Sequence, residues 1–497
     1  MPRRTSGCRP ASPGCRGCCL MESTPTRWPL RKAPDRFNSS SPFVPMDSRQ
    51  AGDRRPAGAM NLLRAVACAA SLLGLAACGG GGGGGGGALP IGLLPTSTPA
   101  AGISAPAPAP APSTPPATAA SSSQNSMPLT VSNGTDSSGV NLPQVSIRLC
   151  APGTGTCQTI DNVLVDTGST GIRIAADALN SAMKSALPQE AVNGAPLNAC
   201  AQFLDGYTWG TMRVADVTLG PKSASAQPLQ IVGDPNSGNV PAACSDNNTL
   251  QPENTPDKLG TNGIIGVAAV LQDCGAACAQ RVIPATYYTC AAGASCQGTT
   301  VPLAMQAQNV VANFAQDNNG VVLGLPAISS AGQGVTVGTL YFGVATQGNN
   351  AMSGATVLKT DSRTLSFSVS YKNTSFPDSF LDSGSNFFFL NDSTIAQCAS
   401  NGTFKGFYCP ASTLALSASF TAATGPALSQ SFAIASAQSL FTGNPGVVAV
   451  DNIAAASSGT SAIDFGLPFF YGRLVAVLNE GQSALGQQGP FTALAMP

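Results

Sequence analysis

Histidine is absent from this chain of 497 residues. Its absence excludes Ser-His-Asp and Cys-His catalysis and any histidine-ligated zinc site, because each of these needs an imidazole. Charged residues are also scarce, at 10% of the sequence. Any chemistry in this protein therefore has to come from carboxylates, cysteine, hydroxyl groups or lysine.

The few charges are distributed unevenly. Residues 1–59 contain 11 basic and 4 acidic residues, whereas the chain from Cys78 onward contains 12 basic and 20 acidic residues. A part with this acidic excess lacks the basic surface that nucleic-acid binding requires, so no nucleic-acid partner is expected. The 55 glycines and 39 prolines favour a turn-rich β protein over a helix bundle.

The front of the chain has the pattern of an export signal. Residues 60–78 read MNLLRAVACAASLLGLAAC, with one basic residue, an apolar run and small residues before Cys78. The end of this segment resembles a bacterial lipobox, which implies lipidation of Cys78, and Gly79 after it implies export to the outer membrane. An ordinary signal peptide with a chance cysteine is the alternative. Residues 1–59 are interpreted as a mis-assigned or disordered extension.

Residues 79–127 are interpreted as a flexible linker. Nine glycines occupy 79–87, and Ala-Pro repeats follow within 105–126. Glycine-rich chain is a flexible coil and Ala-Pro repeats are stiffer and extended, and neither has the apolar residues needed for a core. The sequence thus predicts a tether between a membrane surface and the part that begins near residue 128.

The cysteines beyond Cys78 are even in number, which suits an oxidising compartment. No paired CxxC knuckles occur among them, so a metal site is not expected. Up to five disulfides are predicted, and although the sequence does not fix their connectivity, we expect local pairing. The expected pairs are Cys150 with Cys157, Cys200 with Cys244, Cys274 with Cys278, Cys290 with Cys296, and Cys398 with Cys409.

Short β-rich runs separated by Gly, Asn, Asp and Pro turns fill the rest of the chain. Alternation in QVSIRLC (144–150) and TLSFSVSY (364–371) indicates half-buried strands. Helical patterns are sparse, and the best candidates are residues 177–187 and 301–316. These patterns predict a mostly β protein.

Two similar motifs occur far apart in this β-rich part. VLVDTGST (163–170) contains Asp166, and SFLDSGSN (379–386) contains Asp382. In each, an apolar strand leads the aspartate into a low-dielectric site, glycine permits a tight turn, and hydroxyl groups supply hydrogen bonds. The candidate supporting residues are Thr167, Gly168 and Ser169 in the first motif and Ser383, Gly384 and Ser385 in the second.

Two such loops facing each other would bring Asp166 and Asp382 about one water molecule apart. Like charges that close cannot both ionise, so the pair would share a proton. One carboxylate can then act as a base on the water while the other donates a proton to a carbonyl oxygen. This chemistry needs no metal and no cofactor. A single motif of this kind is more often a turn or a helix cap, and only the pair favours catalysis.

The paired motifs resemble those of pepsin-like aspartic peptidases. GYTWG (206–210) looks like the flap of that family, which points to Tyr207, or secondly Trp209, as the substrate-covering side chain. NGIIGVA (262–268) and DFGLPFF (464–470) are similar to the family's apolar-apolar-Gly stretches. The resemblance implies a bilobal, mostly β pepsin-like fold with a central cleft, an N-terminal lobe at 128–350 and a C-terminal lobe at 351–497.

A closer likeness is to a group of secreted bacterial proteins with a domain of unknown function. The shared features are GYTWG, the cysteine-containing segment QDCGAAC (272–278) and DNNGVVLGLP (317–326). The second loop, Asp-Ser-Gly-Ser-Asn, departs from the Asp-Thr-Gly-Thr/Ser pattern that is commoner among the peptidases, and the flap lacks a Tyr-Gly-Thr-Gly sequence. These departures affect the flap and the substrate class, and both aspartates remain.

The leading hypothesis is a membrane-tethered, monomeric aspartic endopeptidase that acts on peptide or protein substrates. A peptide- or protein-binding lipoprotein with the same fold is the first alternative, because fold alone never proves function. An adhesin-like β protein without cleft chemistry is the second, and only the paired motifs argue against it.

Overall fold

The computed structural model describes residues 124–496, except 136, 138, 205, 292–294, 363 and 445. The predicted extension, signal segment, Cys78 and most of the linker therefore lie outside the described residues. Strands dominate the described part, as the alternating patterns predicted. The α-helices there are α1 (Ser181–Ala186), α2 (Pro256–Leu259), α3 (Gly275–Gln280) and α4 (Ala437–Gly443).

The first half of the described chain contains fourteen strands. They are β1 (Ser126–Ser132), β2 (Leu142–Cys150), β3 (Cys157–Asp166), β4 (Thr170–Ala175), β5 (Ala191–Val192), β6 (Ala195–Gln202), β7 (Gly206–Leu219), β8 (Lys222–Val232), β9 (Gln251–Pro252), β10 (Gly263–Val267), β11 (Tyr287–Thr289), β12 (Gln297–Gly298), β13 (Gly320–Leu325) and β14 (Thr336–Phe342).

Twelve further strands follow among the described residues. They are β15 (Thr356–Val357), β16 (Phe367–Tyr371), β17 (Thr374–Leu381), β18 (Phe388–Leu390), β19 (Leu414–Phe420), β20 (Leu428–Ile434), β21 (Ala454–Ala456), β22 (Asp464–Phe465), β23 (Arg473–Leu478), β24 (Ser483–Ala484), β25 (Gln487–Gln488) and β26 (Phe491–Ala495). Short 3-10 helices lie at Ala176–Ala178, Leu303–Met305, Val310–Asn313, Gly348–Asn350 and Leu467–Phe470.

Each half of the structure builds the same strand arrangement around its aspartate motif. In the first half, β10 runs parallel to β3 and antiparallel to β4, and Gly266 lies opposite Asp166. In the second half, β22 runs parallel to β17 and antiparallel to β18, and Phe465 lies opposite Leu381. One strand is thus inserted between the two strands that flank each motif, and the mostly β, two-lobed fold is confirmed.

The sheets also join the end of the chain to its first half. A large sheet includes β23 and β26, which pair with each other, and β23 pairs with β13. A smaller sheet runs in the order β20, β19, β16, β17, β22, β18, β21. The lobe boundary between residues 350 and 351 stays a prediction.

The largest core cluster connects both halves beneath the motifs. It contains Val165 and Ile265 from the first half and Phe465 and Phe469 from the second, all of them buried. Phe465 packs against Phe469 with ring centroids 5.1 Å apart. The strands that end at the aspartates are therefore held by apolar packing from both sides of the molecule.

Five disulfides are present in the described chain, and they join the five pairs expected from the sequence. Four close short loops: Cys150–Cys157, Cys274–Cys278, Cys290–Cys296 and Cys398–Cys409. The fifth, Cys200–Cys244, spans 44 residues and ties β6 to the segment after β8. Its longer loop removes more entropy from the unfolded chain than the others do.

Replacing Cys200 and Cys244 together by alanine is expected to lower the free energy of unfolding by about 2–4 kcal/mol. The same double replacement of Cys150 and Cys157, which are 7 residues apart, should cost less, because a shorter loop restricts the unfolded chain less. Urea unfolding of both variants under non-reducing conditions measures the difference. A larger loss from the Cys150/Cys157 pair would contradict this explanation.

Candidate active site

The first motif holds its carboxyl group with two local hydrogen bonds. Asp166 ends β3 and is 1% exposed. Its Oδ1 accepts a hydrogen bond from the Gly168 backbone N–H at 2.7 Å. Its Oδ2 accepts a short hydrogen bond from the Ser169 hydroxyl. The tight turn after the strand thus supplies both donors from residues two and three positions further along the chain.

The second motif repeats this geometry. Asp382 follows β17 and is fully buried. Its Oδ1 accepts from the Gly384 backbone N–H at 2.8 Å, and its Oδ2 accepts from the Ser385 hydroxyl at 2.9 Å. The sequence similarity of the two motifs therefore corresponds to the same set of hydrogen bonds.

Hydroxyl groups lock the two motifs together. Thr167 Oγ1 accepts from the Ser383 backbone N–H at 2.9 Å, and Ser383 Oγ accepts from the Thr167 backbone N–H at 3.0 Å. Each hydroxyl also donates across the interface, from Thr167 to the Leu381 carbonyl at 3.3 Å and from Ser383 to the Val165 carbonyl at 2.7 Å. The relative position of the motifs is thus fixed by four reciprocal hydrogen bonds.

This interlock brings the two aspartates into contact. The two side chains interact, because Asp382 lowers the pKa of Asp166 and Asp166 raises the pKa of Asp382. Gly168 lies so close that a Cβ atom there would be 2.7 Å from both Cγ and Oδ1 of Asp382. Only glycine allows the first motif to approach the second carboxyl group this closely.

Burial and proximity make this pair bind protons strongly. Desolvation raises the pKa of Asp166, while hydrogen bonds, first from Asp382 and then from Ser169, oppose that rise. Desolvation raises the pKa of Asp382 well above its ordinary value, and the charge of Asp166 raises it further. Two carboxyl groups in direct contact cannot both ionise, so the pair retains one proton over a wide pH range.

A third carboxyl group, which the sequence did not reveal as a site residue, adjoins the pair. Asp464 starts β22, and its Oδ2 lies 2.5 Å from Ser385 Oγ. Desolvation raises its pKa well above the ordinary value, and the charge of Asp166 adds to that rise. The available signal was an aspartate in DFG (464–466) where the first-half stretch, IIG (264–266), has isoleucine. No acidic or cysteine group among the described residues is arranged to hold a metal ion.

An ion pair supports the first motif from β4. Arg173 is buried and donates to the Thr170 carbonyl at 2.8 Å. Its guanidinium lies 3.5 Å from Asp273 Oδ2, and Tyr287 donates to Asp273 Oδ1 at 2.6 Å. The positive charge of Arg173 lowers the pKa of Asp166 and partly offsets its burial.

The two aromatic residues expected in a flap lie at the start of β7. Tyr207 pairs with Gln202 across the hairpin of β6 and β7 and is 6% exposed. Trp209 is buried in the same cluster, where it packs edge-on against Tyr288 at a centroid distance of 5.6 Å. The cluster includes cysteines of the 200–244 and 290–296 disulfides. The flap role of these two side chains stays a prediction.

The buried acids predict a stability maximum near pH 4. Asp382 and Asp464 have raised pKa values, as do Glu190, at about 8, and Asp273, at about 6, all from desolvation first. Above about pH 4 the folded state then binds more protons than the unfolded state, so the free energy of unfolding falls as pH rises. Asp392, with a pKa lowered to about 2, acts oppositely, and its contribution is lost as pH falls from about 4.

Urea unfolding at a series of pH values from about 3 to 8 tests this expectation. Glu190→Gln is the matched control, because it removes one buried acid outside the aspartate motifs. It should flatten the decline between about pH 5 and 8. A stability maximum at neutral pH in the parent protein would contradict the assignment of raised pKa values.

Comparison with known proteins shows the family to which this chain belongs. A search of curated proteins finds no match. Among solved structures, an aspartic proteinase from Irpex lacteus is 15% identical with a TM-score of 0.39, and the match covers 75% of this chain and 97% of that chain. The family described as "Protein of unknown function (DUF3443)" matches residues 121–494. Because that match covers most of the chain, this protein belongs to the DUF3443 family.

Proposed function

We propose that this protein is an aspartic-type endopeptidase, with Asp166 and Asp382 as the catalytic residues. The observation that supports the proposal is the close approach of two buried carboxyl groups that equivalent, interlocked loops hold in the same way. An apolar interior rarely accommodates two such groups without a functional reason, because burying them costs free energy.

In the proposed reaction the pair holds one proton, so one carboxyl group is ionised and the other is protonated. The ionised carboxylate removes a proton from a water molecule, whose oxygen attacks the carbonyl carbon of the peptide bond. The protonated partner donates its proton to the carbonyl oxygen, which gives a neutral tetrahedral diol. As the diol collapses, the carboxyl group that took the proton from water donates it to the leaving nitrogen and the C–N bond breaks. The other carboxylate takes a proton from one hydroxyl group of the diol, so the new carboxyl group forms and the pair again holds one proton. No covalent bond to the protein forms.

The surrounding residues have proposed supporting roles. Ser169 and Ser385 orient the carboxyl groups, and Thr167 and Ser383 hold the loops in register. The hairpin that contains Tyr207 is the proposed flap over an extended peptide or protein substrate. The enzyme is proposed to act as a monomer without a cofactor.

The proposed location is the bacterial outer membrane, on its periplasmic or its external face. Lipidation of Cys78 would provide the anchor, and residues 79–127 would hold the enzyme away from the lipid surface. Among the described residues, no helix has the length and apolarity needed to cross a membrane. Labelling with a radioactive fatty acid, compared between the parent and Cys78→Ala, tests the anchor.

The test of the proposed activity is digestion of a diverse peptide mixture by the purified full chain with its disulfides formed. Incubation from about pH 3 to 8, with products identified by mass spectrometry, should reveal new peptide ends at acidic pH. The sequences around the cleaved bonds report the side chains that the subsites prefer. If the folded protein cleaves nothing at any pH yet retains peptides, the binding alternative replaces the peptidase proposal.

A further inference from the structure

Ser385 lies between two carboxyl groups. Its Oγ is 2.9 Å from Asp382 Oδ2 and 2.5 Å from Asp464 Oδ2. A hydroxyl group has one proton, so it donates to only one of these oxygens at a time. The other carboxyl oxygen must then hold a proton of its own and donate it to Ser385 Oγ. Without that proton, two oxygen lone pairs would face each other at hydrogen-bond distance.

The local donors indicate which carboxyl group holds that proton. Asp382 accepts a backbone hydrogen bond from Gly384 in addition to its contact with Ser385. Asp464 is 6% exposed, and its Oδ1 is buried without a hydrogen-bond partner in the described part of the chain. An ionised Asp464 would therefore bury a negative charge with one oxygen unpaired, which is far costlier than a neutral carboxyl group.

We propose that Asp464 is a positioning residue that remains protonated in the active site, donates to the Ser385 hydroxyl and thereby directs the Ser385 proton to Asp382. The inference rests on the proposed peptidase function for its catalytic consequence. Its structural content, a proton held on Asp464, is measurable without catalysis.

The first half of the molecule lacks this group. Gly266 lies opposite Asp166, and the residue two positions before it is Ile264. Asp464 stands two positions before Gly466, on the strand inserted in the same way beside β17. Asp464 thus distinguishes two otherwise equivalent loops. At the corresponding position beside the first loop, the inserted strand has the apolar side chain of Ile264.

The charged surroundings define how Asp464 would affect pH dependence. On the neighbouring strands, Phe380 and Phe389 lie opposite Asp464, and neither is charged. The ionisable groups that interact with Asp464 are Asp166, which raises its pKa, and Asp382, whose own pKa Asp464 raises. The charge of Arg173 lowers the pKa of Asp166 and of Asp273.

In the active form, Asp166, Asp382 and Asp464 therefore hold two protons among them. With two protons among them, the useful arrangement keeps one on Asp464 and one on the Asp166/Asp382 pair. If Asp464 ionises instead, it attracts the Ser385 proton and its charge favours a second proton on the pair, which then lacks a base. A neutral side chain at position 464 that donates to Ser385, as a protonated Asp464 does, should leave the titration of the pair in place, whereas an ionised Asp464 would raise the pKa of the pair.

The experiment compares the full-length parent with Asp464→Asn and Asp464→Ile. The asparagine amide still donates to Ser385, and isoleucine is the residue at the matching position 264. In Asp464→Asn the alkaline limb of kcat/KM should stay in place, because the amide is as uncharged as a protonated Asp464 and still donates to Ser385. In Asp464→Ile, Ser385 loses that donor and its hydrogen bond to ionised Asp382 weakens, so the alkaline limb should move up by about one pH unit. One unit above the parent's alkaline midpoint, Asp464→Ile should retain about fivefold more of its own maximum than the parent or Asp464→Asn does. An alkaline limb that moves down in folded Asp464→Asn would overturn the proposal, because it would mean that the charge of an ionised Asp464 had raised the pKa of the pair.

A proton titration tests the same proposal without catalysis. Between about pH 5 and 6, the folded parent should bind about one proton more than folded Asp464→Asn. Coincident curves above about pH 5 would mean that Asp464 ionises normally, which overturns the proposal. A parent that hydrolyses no peptide but holds this extra proton would refute the peptidase function alone. If Asp464→Ile does not fold, Asp464→Asn decides both measurements.

Discussion

Asp166→Asn and Asp382→Asn are each expected to reduce kcat/KM for peptide hydrolysis by about 10²–10⁴-fold or more. An amide cannot accept the proton of the water or return a proton to the peptide, and proton transfer by a placed side chain contributes about that factor. Because each carboxyl group depends on the other for its protonation state, the double variant should be hardly worse than either single variant. Initial rates on one peptide at the parent's optimum measure all three.

Both single variants should remain folded. Asparagine has nearly the same shape as aspartate, and its side-chain oxygen can still accept from the Gly168 or Gly384 backbone N–H. Replacing one member of a buried, like-charged pair also relieves a cost of burial, so the melting temperature at neutral pH should stay or rise. A folded Asp166→Asn variant with more than about a tenth of the parent's rate would contradict the assigned role.

Removal of the interlocking hydroxyls should produce the largest loss of stability. The double variant Thr167→Val/Ser383→Ala deprives two backbone N–H groups of their acceptors and the carbonyls of Val165 and Leu381 of these donors. An unsatisfied buried polar group costs about 1–3 kcal/mol, so we expect the free energy of unfolding to fall by at least about 4 kcal/mol. Activity should fall as well, because the two loops lose their fixed separation. Urea unfolding measures the first effect.

The molecule provides the matched control for this variant. The equivalent positions carry Thr167 in the first loop and Ser383 in the second, so Thr167→Ser and Ser383→Thr each introduce the side chain that the other loop has there. Ser383→Thr adds a methyl group at a fully buried site, whereas Thr167→Ser adds nothing. Thr167→Ser should therefore lose less than about 1.5 kcal/mol. A loss from Thr167→Ser as large as that from the double variant would show that methyl packing, and not hydrogen bonding, stabilises the loops.

The fold was predictable where residue patterns are local. Apolar strands ending in Asp-Thr-Gly-Ser and Asp-Ser-Gly-Ser predicted two equivalent loops, and the structure places both at the ends of β3 and β17. Residues 177–187 include a short helix, α1, whose first turn is capped by Asn180. The expected helix at 301–316 is wrong. The Asn309 side chain accepts from Val311 N and donates to the Ala268 carbonyl, which favours short 3-10 turns there.

The residues that support the two aspartates were harder to predict from the sequence. Ser385 and Asp464 are 79 positions apart, and no local pattern indicates that their oxygens lie 2.5 Å from each other. Arg173 and Asp273 are 100 positions apart and become partners only when β4 packs near the segment after β10. Motif repetition identifies residues with the same local geometry. Groups that act across strands depend on the register of the sheet, which one sequence does not specify.

The central claim is that a water molecule, activated by Asp166 and Asp382, cleaves the peptide bond directly. Its most direct test is hydrolysis of one identified peptide in water enriched in oxygen-18, followed by mass spectrometry of product and protein during turnover. We expect one heavy oxygen in the new carboxyl group, no covalent peptide–protein adduct, and cleavage at least about 10²-fold slower in Asp166→Asn and Asp382→Asn. A covalent adduct, or cleavage at more than about a tenth of the parent's rate in either folded variant, would contradict the mechanism.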